Sequence, residues 1–373
     1  MSFRSIPLFP GDLYDTALRL AADARPAARP VGQAHAQASE AWQQMQGLGW
    51  QGVLIAEAVG GVGGRLSDLA ALVEALARHA VPVPLIDRCA VAPLALGAAA
   101  SVPHVAALLE SLTLGEASVC ASLGAGDAMP GAATEAWLGA DGQMQGRIAT
   151  LDLSEPASHV LFSVRQVASS DPALVLLPFA QVAERVRHHV GVDGRQFSDV
   201  SLDGLQVPVD AVLLRGAAAT VAVAQALQAG SLLAGVQAVG ACASMVEQTV
   251  EYLNTRIQFG TALSTFQALR HRTVEMYVAY ENTMGLIRRL VQQAESGLLD
   301  ASDVALARLY AIDVGRQVSE GAIQLHGGMG MTWEMPVARL AMQTLQQSLQ
   351  FGDRSQCLDW LSARVVTQTA ARA

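Results

Sequence analysis

The sequence contains no lysine, so arginine supplies all 24 of its basic side chains, which we attribute to the composition of the genome. Charged residues make up only 15% of the 373 residues, whereas hydrophobic residues make up 51%. The net charge of −9 argues against a nucleic-acid-binding protein. So little charge in a chain of this length predicts two or three buried cores and extensive subunit interfaces.

Apolar runs long enough to span a membrane are also missing. The nearest candidate, 219–240, is alanine-rich and carries three glutamines, so we expect a buried helix of a bundle. The N-terminus lacks the features of a signal peptide, and we therefore expect a cytoplasmic protein with no membrane partner. Cys89, Cys120, Cys242 and Cys357 lack metal-ligand spacing, which predicts buried thiols, no metal and no disulfides.

The hydrophobic pattern divides the chain into three parts. Residues 1–116 show helical spacing of apolar residues and predict an all-α domain. Residues 117–214 contain short β-prone runs between turns and predict a β domain. Residues 215–373 return to long helical patterns and predict a helical bundle. Its expected helices are 218–255, 264–297, 300–325 and 336–350.

Two motifs point to a nucleotide cofactor. The segment 256–260 (RIQFG) places a guanidinium, an amide and an aromatic ring beside a glycine, and 324–332 (QLHGGMGMT) is a glycine-rich turn where a helical pattern stops. Arginine binds phosphate oxygens, glycine turns present free N–H groups to anions, and an aromatic ring stacks on a purine. Together they predict a diphosphate-and-adenine site, although each motif alone is also explained as an ordinary helix end.

These motifs carry a resemblance to the acyl-CoA dehydrogenase family. The string 256–276 (RIQFGTALSTFQALRHRTVEM) resembles the helix-turn-helix of that family, and 324–336 (QLHGGMGMTWEMP) resembles its second FAD-contacting turn. The stretch from Gly47 to Gly61 is similar to its first helical domain. The resemblance implies an α+β fold, with an N-terminal helical domain, a middle β domain and a C-terminal four-helix bundle. It also implies FAD as cofactor, an acyl-CoA substrate and electron-transfer flavoprotein as electron acceptor.

The resemblance assigns a cofactor-binding role to residues of both motifs. Arg256 would bind the FAD diphosphate, and Phe259 would pack on the adenine. The backbone of the glycine turn would reach an FAD held mainly by an adjacent subunit, because only glycine lets the main chain approach a phosphate closely. Thr332 and Glu334 would lie near the ribityl chain or cap the next helix. The full set is Arg256, Gln258, Phe259, Gln267, Gln324, Gly327 and Gly328.

The catalytic base that the family needs is not found by the same comparison. Most members carry a glutamate 25 residues after the histidine of the turn, and that position here is Phe351. Others carry it 26 residues before the motif arginine, where this chain has Gly230. Asp353 is close to the first position, but a capping role is favoured for it. Glu247 and Glu251 are favoured as solvated or ion-paired acids, so the catalytic residue stays unassigned.

The strands that contact the flavin ring in the family are also only partly matched by this chain. The family has a Thr-Glu-Pro strand and a Trp-Ile-Thr strand against the ring, whereas this chain has 120–127 (CASLGAGD) and 146–151 (GRIATL). Ser122 and Thr150 keep one hydroxyl each, and Trp137 does not replace the missing tryptophan.

The chain has the residues expected to contact the adenine half of FAD, but it lacks some of those expected around the flavin ring. This combination predicts a heteromer. Phe-Gly-Asp at 351–353 resembles subunits of two-gene bacterial acyl-CoA dehydrogenases, which act on bulky acyl-CoAs such as steroid side chains. We therefore predict FAD-dependent α,β-dehydrogenation of an acyl-CoA in an α2β2-type tetramer, with a homologous subunit or a second copy of itself as partner. The alternatives are a non-catalytic partner subunit, an acyl-CoA oxidase, or a flavin reaction that needs no base, such as desulfination.

Overall fold

A computed structural model describes residues 3–24, 35–124 and 135–370. The N-terminal region is helical. Its helices are α1 (Asp12–Asp23), α2 (His35–Gly47), α3 (Leu66–Ala77), α4 (Ala92–Gly97) and α5 (Pro103–Thr113). The π-helical turn Asp87–Val91 leads into α4, and turns of this kind are frequent at functional sites.

A β-sheet follows the N-terminal helices. Its strands are β1 (Val119–Ser122), β2 (Ala136–Leu138), β3 (Met144–Asp152), β4 (His159–Gln166), β5 (Pro172–Pro178), β6 (Val186–Val190), β7 (Gln196–Ser201) and β8 (Val212–Arg215). The strand order is β6-β7-β3-β2-β4-β5-β8, and β1 pairs with β4. Both β1 and β2 run parallel to β4, whereas the other pairs are antiparallel. Two of the short β-prone runs of this region, 159–164 and 173–177, form β4 and β5 and lie in its hydrophobic core.

The C-terminal region is again helical, apart from one short hairpin. Its elements are α6 (Gly216–Thr255), β9 (Ile257–Gln258), β10 (Thr261–Ala262), α7 (Gln267–Glu295), α8 (Ala301–His326), α9 (Pro336–Ser348) and α10 (Arg354–Ala370). By length and composition α6 resembles a membrane-spanning helix, but 94% of its most apolar window is buried inside the chain. It is therefore the central helix of this region, as predicted for 219–240, and it packs against α3, α7, α8 and α9.

The order of helices, sheet and helices confirms the predicted fold class. The predicted boundaries after residues 116 and 214 remain predictions, and in the structure β1 begins at Val119 and α6 at Gly216. All four cysteines are buried as free thiols. Among the described residues, no group of histidine, cysteine and acidic side chains has the arrangement of a metal site.

Glu74 is a buried acid at the junction of α3 and α6. Its Oε2 accepts a hydrogen bond from the Leu8 backbone N–H at 2.7 Å, which fastens the N-terminal segment to α3. Its backbone carbonyl also lies 2.6 Å from the position that a Cβ at Gly240 would occupy, so the helices touch here without an intervening side chain. Burial raises the pKa of the Glu74 carboxyl from 4.5 to about 7, against the opposing hydrogen bond and the nearby Arg78.

The raised pKa predicts a pH-dependent loss of stability that Glu74→Gln removes. Between pH 4.5 and 7 the folded chain holds a proton that the unfolded chain has released, so rising pH favours unfolding. The stability of Glu74→Gln relative to wild type should therefore increase by about 3 kcal/mol between pH 4 and pH 8. Urea unfolding at several pH values measures the difference.

The exposed acid Glu320, which pairs with Arg316 on α8, provides the control. Glu320→Gln should differ from wild type by less than about 1 kcal/mol at every pH, because exposed pairs contribute little. A pH-independent difference for Glu74→Gln would contradict the buried, proton-binding carboxyl.

Candidate functional site

A small cavity of about 30 Å³ lies where the three regions of the chain meet. The N-terminal region contributes Asp87, and the β region contributes Asp152 and Arg195. The C-terminal region contributes Gln350 and Phe351 from the segment after α9. The cavity has room for a water molecule or two, and it is far smaller than ligand pockets of roughly 300–1,000 Å³.

The two positions where the family carries its base lie against each other at this cavity. A Cβ on Gly230 would come within 2.9 Å of the Phe351 ring, so the ring fills the space that a side chain at 230 would need. Ser231 Oγ donates to the Phe351 carbonyl at 3.1 Å, and Phe351 has a left-handed φ of 52°. Neither position can hold a carboxylate without rebuilding this contact.

The buried side chain of Arg308 holds residues 349–352 in place. This segment contains Phe351 and is called the Phe351 turn below. The Arg308 guanidinium donates to the carbonyls of Gln347 and Gln350 at 2.6 Å and of Gly352 at 3.2 Å. The Gln347 carbonyl also accepts from the backbone N–H of Gln350 at 3.1 Å, whereas Arg308 supplies the donor for the Gln350 carbonyl beyond the end of α9. Arg308 therefore acts as a C-terminal cap. Burial lowers the pKa of Arg308 to about 10. Sequence reasoning missed this residue, although Val304 and Ile312, four positions away on either side, mark its helix face as buried.

Asp87 and Asp152 are the acids that line the cavity, and their environments differ. Asp152 Oδ2 accepts from Arg195 at 2.9 Å, and Ser154 donates to its Oδ1. Asp87 Oδ2 accepts from the backbone N–H of Ala121 on β1 at 3.2 Å. Burial raises the pKa of Asp87 from 3.8 to about 7, despite the neighbouring Arg88. Sequence reasoning also missed Asp87, although a charged pair inside the apolar run 81–96 was a signal of a buried polar site.

Three other acids were considered as the catalytic base, namely Asp353, Glu247 and Glu251. Asp353 Oδ1 accepts from the backbone N–H of Gln356 at 2.9 Å and caps the start of α10, which agrees with the favoured capping role. Glu247 pairs with Arg78 at 2.6 Å and also accepts from Ser5, as expected of an ion-paired acid. Glu251 is exposed. None of the three lines the cavity that contains Phe351.

The first cofactor motif lies on an exposed hairpin between α6 and α7. Arg256 and Gln258 are exposed, and Gln267 is exposed as the first residue of α7. Phe259 has a left-handed φ of 54° and is 90% exposed, with only Phe266 as an aromatic neighbour. A ring presented in this way is available to a purine or to a second chain.

The glycine turn follows α8 and leaves open space above its backbone. A Cβ at Gly327 or Gly328 would meet no atom within 4 Å, whereas a Cβ at Gly330 would lie 2.6 Å from the Ile323 carbonyl. Gly330 is therefore needed to form the turn, and the exposed backbone of the other two glycines has room for a ligand. Thr332 donates to the Met329 carbonyl and is used within the turn itself.

The structure brings the ends of the two motif helices together. The ring of Tyr252, one turn before Arg256, stacks on His326 with centroids 4.4 Å apart. Gln324 is exposed and lines a separate groove of about 770 Å³ between α7 and α8, together with Arg272 and Arg316. The hairpin residues do not line this groove. Arg272 was not among the predicted site residues, and nothing in its sequence context distinguishes it from other exposed arginines.

Of the two residues whose hydroxyls were expected at the flavin-ring side, Ser122 lies at the end of β1 and Thr150 lies in β3. Ser122 Oγ donates to the carbonyl of Ala149 at 3.1 Å, next to Thr150. Thr150 has a left-handed φ of 57° where the pairing of β3 with β7 shifts register, and its side chain is exposed. The hydroxyl of Ser122 is thus already bonded to the sheet. Residues 125–127 of the predicted strand segment lie outside the described residues.

Comparison with known proteins identifies the family. Residues 12–98 match the N-terminal domain of acyl-CoA dehydrogenases, and residues 219–356 match their C-terminal domain. The chain is 30% identical to the acyl-CoA dehydrogenase IpdE2 of Mycobacterium tuberculosis over 291 residues, which cover 77% of this chain and 74% of that protein. The chain belongs to the acyl-CoA dehydrogenase family, and its members are oxidoreductases that act on acyl-CoA.

Solved structures confirm the fold. The Tcur3481-Tcur3483 steroid acyl-CoA dehydrogenase G363A variant matches with a TM-score of 0.81 and 24% identity, covering 96% of this chain and 98% of that one. The ChsE4-ChsE5 complex from Mycobacterium tuberculosis matches with a TM-score of 0.79 and 18% identity, covering 97% and 99%. Structures in complex with FAD are also among the matches, and the expectation of FAD as cofactor is confirmed.

Proposed function

We propose that this chain is one subunit of a heteromeric, FAD-dependent acyl-CoA dehydrogenase that introduces an α,β double bond into an acyl-CoA thioester. The carrying observation is the placement of the first motif. Arg256 and Phe259 project from an exposed hairpin and do not line the cavity of their own chain. Such groups are suited to the diphosphate and adenine of an FAD whose ring lies in a neighbouring subunit.

The residues fit the ADP half of FAD better than its ring. An exposed guanidinium, an uncovered ring and open backbone at Gly327 and Gly328 match a diphosphate and a purine. FAD, when bound, accepts the hydride from the β-carbon of the substrate. This chain would position the ADP half through Arg256, Phe259 and the glycine turn.

Two further features support a two-chain enzyme. Phe351 and Gly230 occupy the positions of the family base and pack against each other, which fits a site that differs from that of self-sufficient members. Two of the matching structures also carry paired names, ChsE4-ChsE5 and Tcur3481-Tcur3483. We propose a homologous acyl-CoA dehydrogenase chain as partner in an α2β2-type tetramer, electron-transfer flavoprotein as acceptor, and a cytoplasmic location. The steroid in the second name suggests a bulky acyl group.

Expression alone and with a homologue encoded beside it tests this function. The protein alone should bind little FAD, and the co-purified complex should be yellow and should lose its flavin absorbance when a saturated acyl-CoA is added without oxygen. A panel from straight-chain acyl-CoAs to a steroid side-chain acyl-CoA would define the substrate class. A yellow homo-oligomer that is bleached without a partner would contradict the heteromer. A complex that no acyl-CoA bleaches would contradict dehydrogenation.

A further inference from the structure

A stacked pair of rings joins the last turn of α6 to the last turn of α8, and each of these turns leads into one cofactor motif. We propose that the two residues of this stack, Tyr252 and His326, are positioning residues for FAD. They hold the Arg256 hairpin (256–262) and the glycine turn (327–331) in the arrangement that lets both contact one ADP group. The inference rests on the proposed binding of the ADP half of FAD and names residues that act on that site through its two motifs.

Tyr252 fixes the start of the hairpin that carries Arg256. The Tyr252 carbonyl accepts from the Arg256 backbone N–H at 2.8 Å, at the point where α6 ends. The Arg256 carbonyl accepts from the backbone N–H of Leu263 at 2.9 Å, which closes the hairpin. Its strands, Ile257–Gln258 and Thr261–Ala262, have two residues each, and so short a hairpin is not stable by itself. The position of Tyr252 therefore sets the position of Arg256.

His326 lies at the centre of the glycine turn. The residue is 2% exposed, and its Nδ1 lies 2.9 Å from the Ala322 carbonyl. Because a carbonyl only accepts, Nδ1 carries the hydrogen, and burial lowers the pKa of His326, which favours the neutral ring. The turn folds back over this side chain, since a Cβ at Gly330 would lie 3.0 Å from the His326 Cβ. The imidazole therefore sets the position of the turn that contains Gly327 and Gly328.

Stacking, and not a hydrogen bond, joins the two side chains. The ring centroids are 4.4 Å apart, and the planes lie within 27° of parallel. The second ring nitrogen of His326, Nε2, is buried and has no hydrogen-bond partner among the described residues. A phenyl ring in place of the imidazole would keep this contact, whereas an aliphatic side chain would lose it.

The two motifs bind one cofactor tightly only if they are in place before it arrives. Arg256 is exposed, and a Cβ at Gly327 or Gly328 would meet no atom within 4 Å, so both motifs face open space. Ordering such segments during binding would reduce the affinity, and a preorganised site avoids this cost. The stack provides the order from the buried side of both segments.

Loss of either ring should weaken FAD binding, measured by fluorescence titration of the FAD-free two-chain complex. His326→Leu and Tyr252→Leu should each raise the Kd for FAD by about three- to tenfold, because each removes the aromatic pair. His326→Phe and Tyr252→Phe should bind FAD like the wild-type complex, because both keep two rings. Urea unfolding shows which variants are folded under the conditions of the titration.

His189→Leu is the matched control for the loss of a stacked histidine. His189 stacks on Phe197 with ring centroids 6.2 Å apart, on the strands β6 and β7, which carry neither motif. This variant should leave the Kd for FAD unchanged.

A double variant separates the placement of Arg256 from a general loss of structure. If the stack acts through the arginine, His326→Leu should weaken FAD binding less in an Arg256→Ala complex than in the wild-type complex. Two losses that simply multiply would overturn the proposal.

The remaining outcomes are also decisive. Wild-type affinity in both leucine variants would overturn the proposal, as would an equal loss in the leucine and phenylalanine variants. Should His326→Leu fail to fold, the comparison uses the two variants of Tyr252, which is less buried. Failure of both leucine variants to fold would assign the stack to stability alone and overturn the proposal. Wild-type FAD affinity in Arg256→Ala would instead contradict the proposed binding of the ADP half itself.

Discussion

Arg308→Met is expected to lower the free energy of unfolding by about 2–5 kcal/mol, the cost of leaving two buried carbonyls without this donor. The guanidinium is buried and donates to three carbonyls at the end of α9 and in the Phe351 turn. Methionine fills a similar volume but removes the guanidinium donor from the carbonyls of Gln350 and Gly352, while Gln347 keeps the Gln350 N–H. Each unsatisfied group costs about 1–3 kcal/mol. Urea unfolding, followed by circular dichroism, measures the loss.

Arg316→Met on the same helix is the control for this prediction. Arg316 is exposed and pairs with Glu320 one turn away, so its loss should change stability by less than about 1 kcal/mol. Equal and small effects of the two variants would show that Arg308 does not support the turn. A large loss confined to Arg308→Met would identify the turn around Phe351 as a structural unit that depends on one buried cation.

Arg256→Ala is expected to weaken FAD binding by about ten- to a hundredfold, from the 1.5–3 kcal/mol of a hydrogen bond to a charged group. The side chain is exposed on the hairpin, so its removal should leave the free energy of unfolding of the FAD-free protein unchanged. FAD retention after dialysis of the complex, or a fluorescence titration of the FAD-free complex, measures the effect.

Arg289→Ala provides the matched loss of charge, because Arg289 is also exposed but lies towards the far end of α7 from the hairpin. It should bind FAD like the wild-type complex. If Arg256→Ala also retains FAD, the arginine does not contact the diphosphate and the proposed division of FAD between two chains loses its main support.

The sequence predicted the helical regions well because helix formation depends on residues that are close to one another in the sequence. Apolar residues recur at helical spacing, and α7 and α9 begin within three residues of the predicted starts at 264 and 336. The ends of the helices at Arg256 and at Gly327 were also predicted, because glycine and a change of periodicity mark both. The roles of these residues were taken from the family resemblance, and they remain predictions.

Other features depend on contacts between distant segments and were not predicted. The parallel pairing of β1 with β4 joins Val119 to His159, and no local signal reveals it. Asp87 and Phe351 lie far apart in sequence and line one cavity only after three regions have packed together. A search for the base at family positions therefore ended at Phe351 and Gly230, and the acids that line this cavity, Asp87 and Asp152, lie in the other two regions.

A structure of the two-chain complex with FAD would test the central claim most directly. The account predicts that the FAD diphosphate lies within hydrogen-bonding distance of the Arg256 guanidinium of this chain, with the adenine against Phe259 and the flavin ring in the neighbouring subunit. It further predicts that the exposed backbone of Gly327 and Gly328 faces the same cofactor. An FAD held wholly by the other chain, with Arg256 left in solvent, would contradict it.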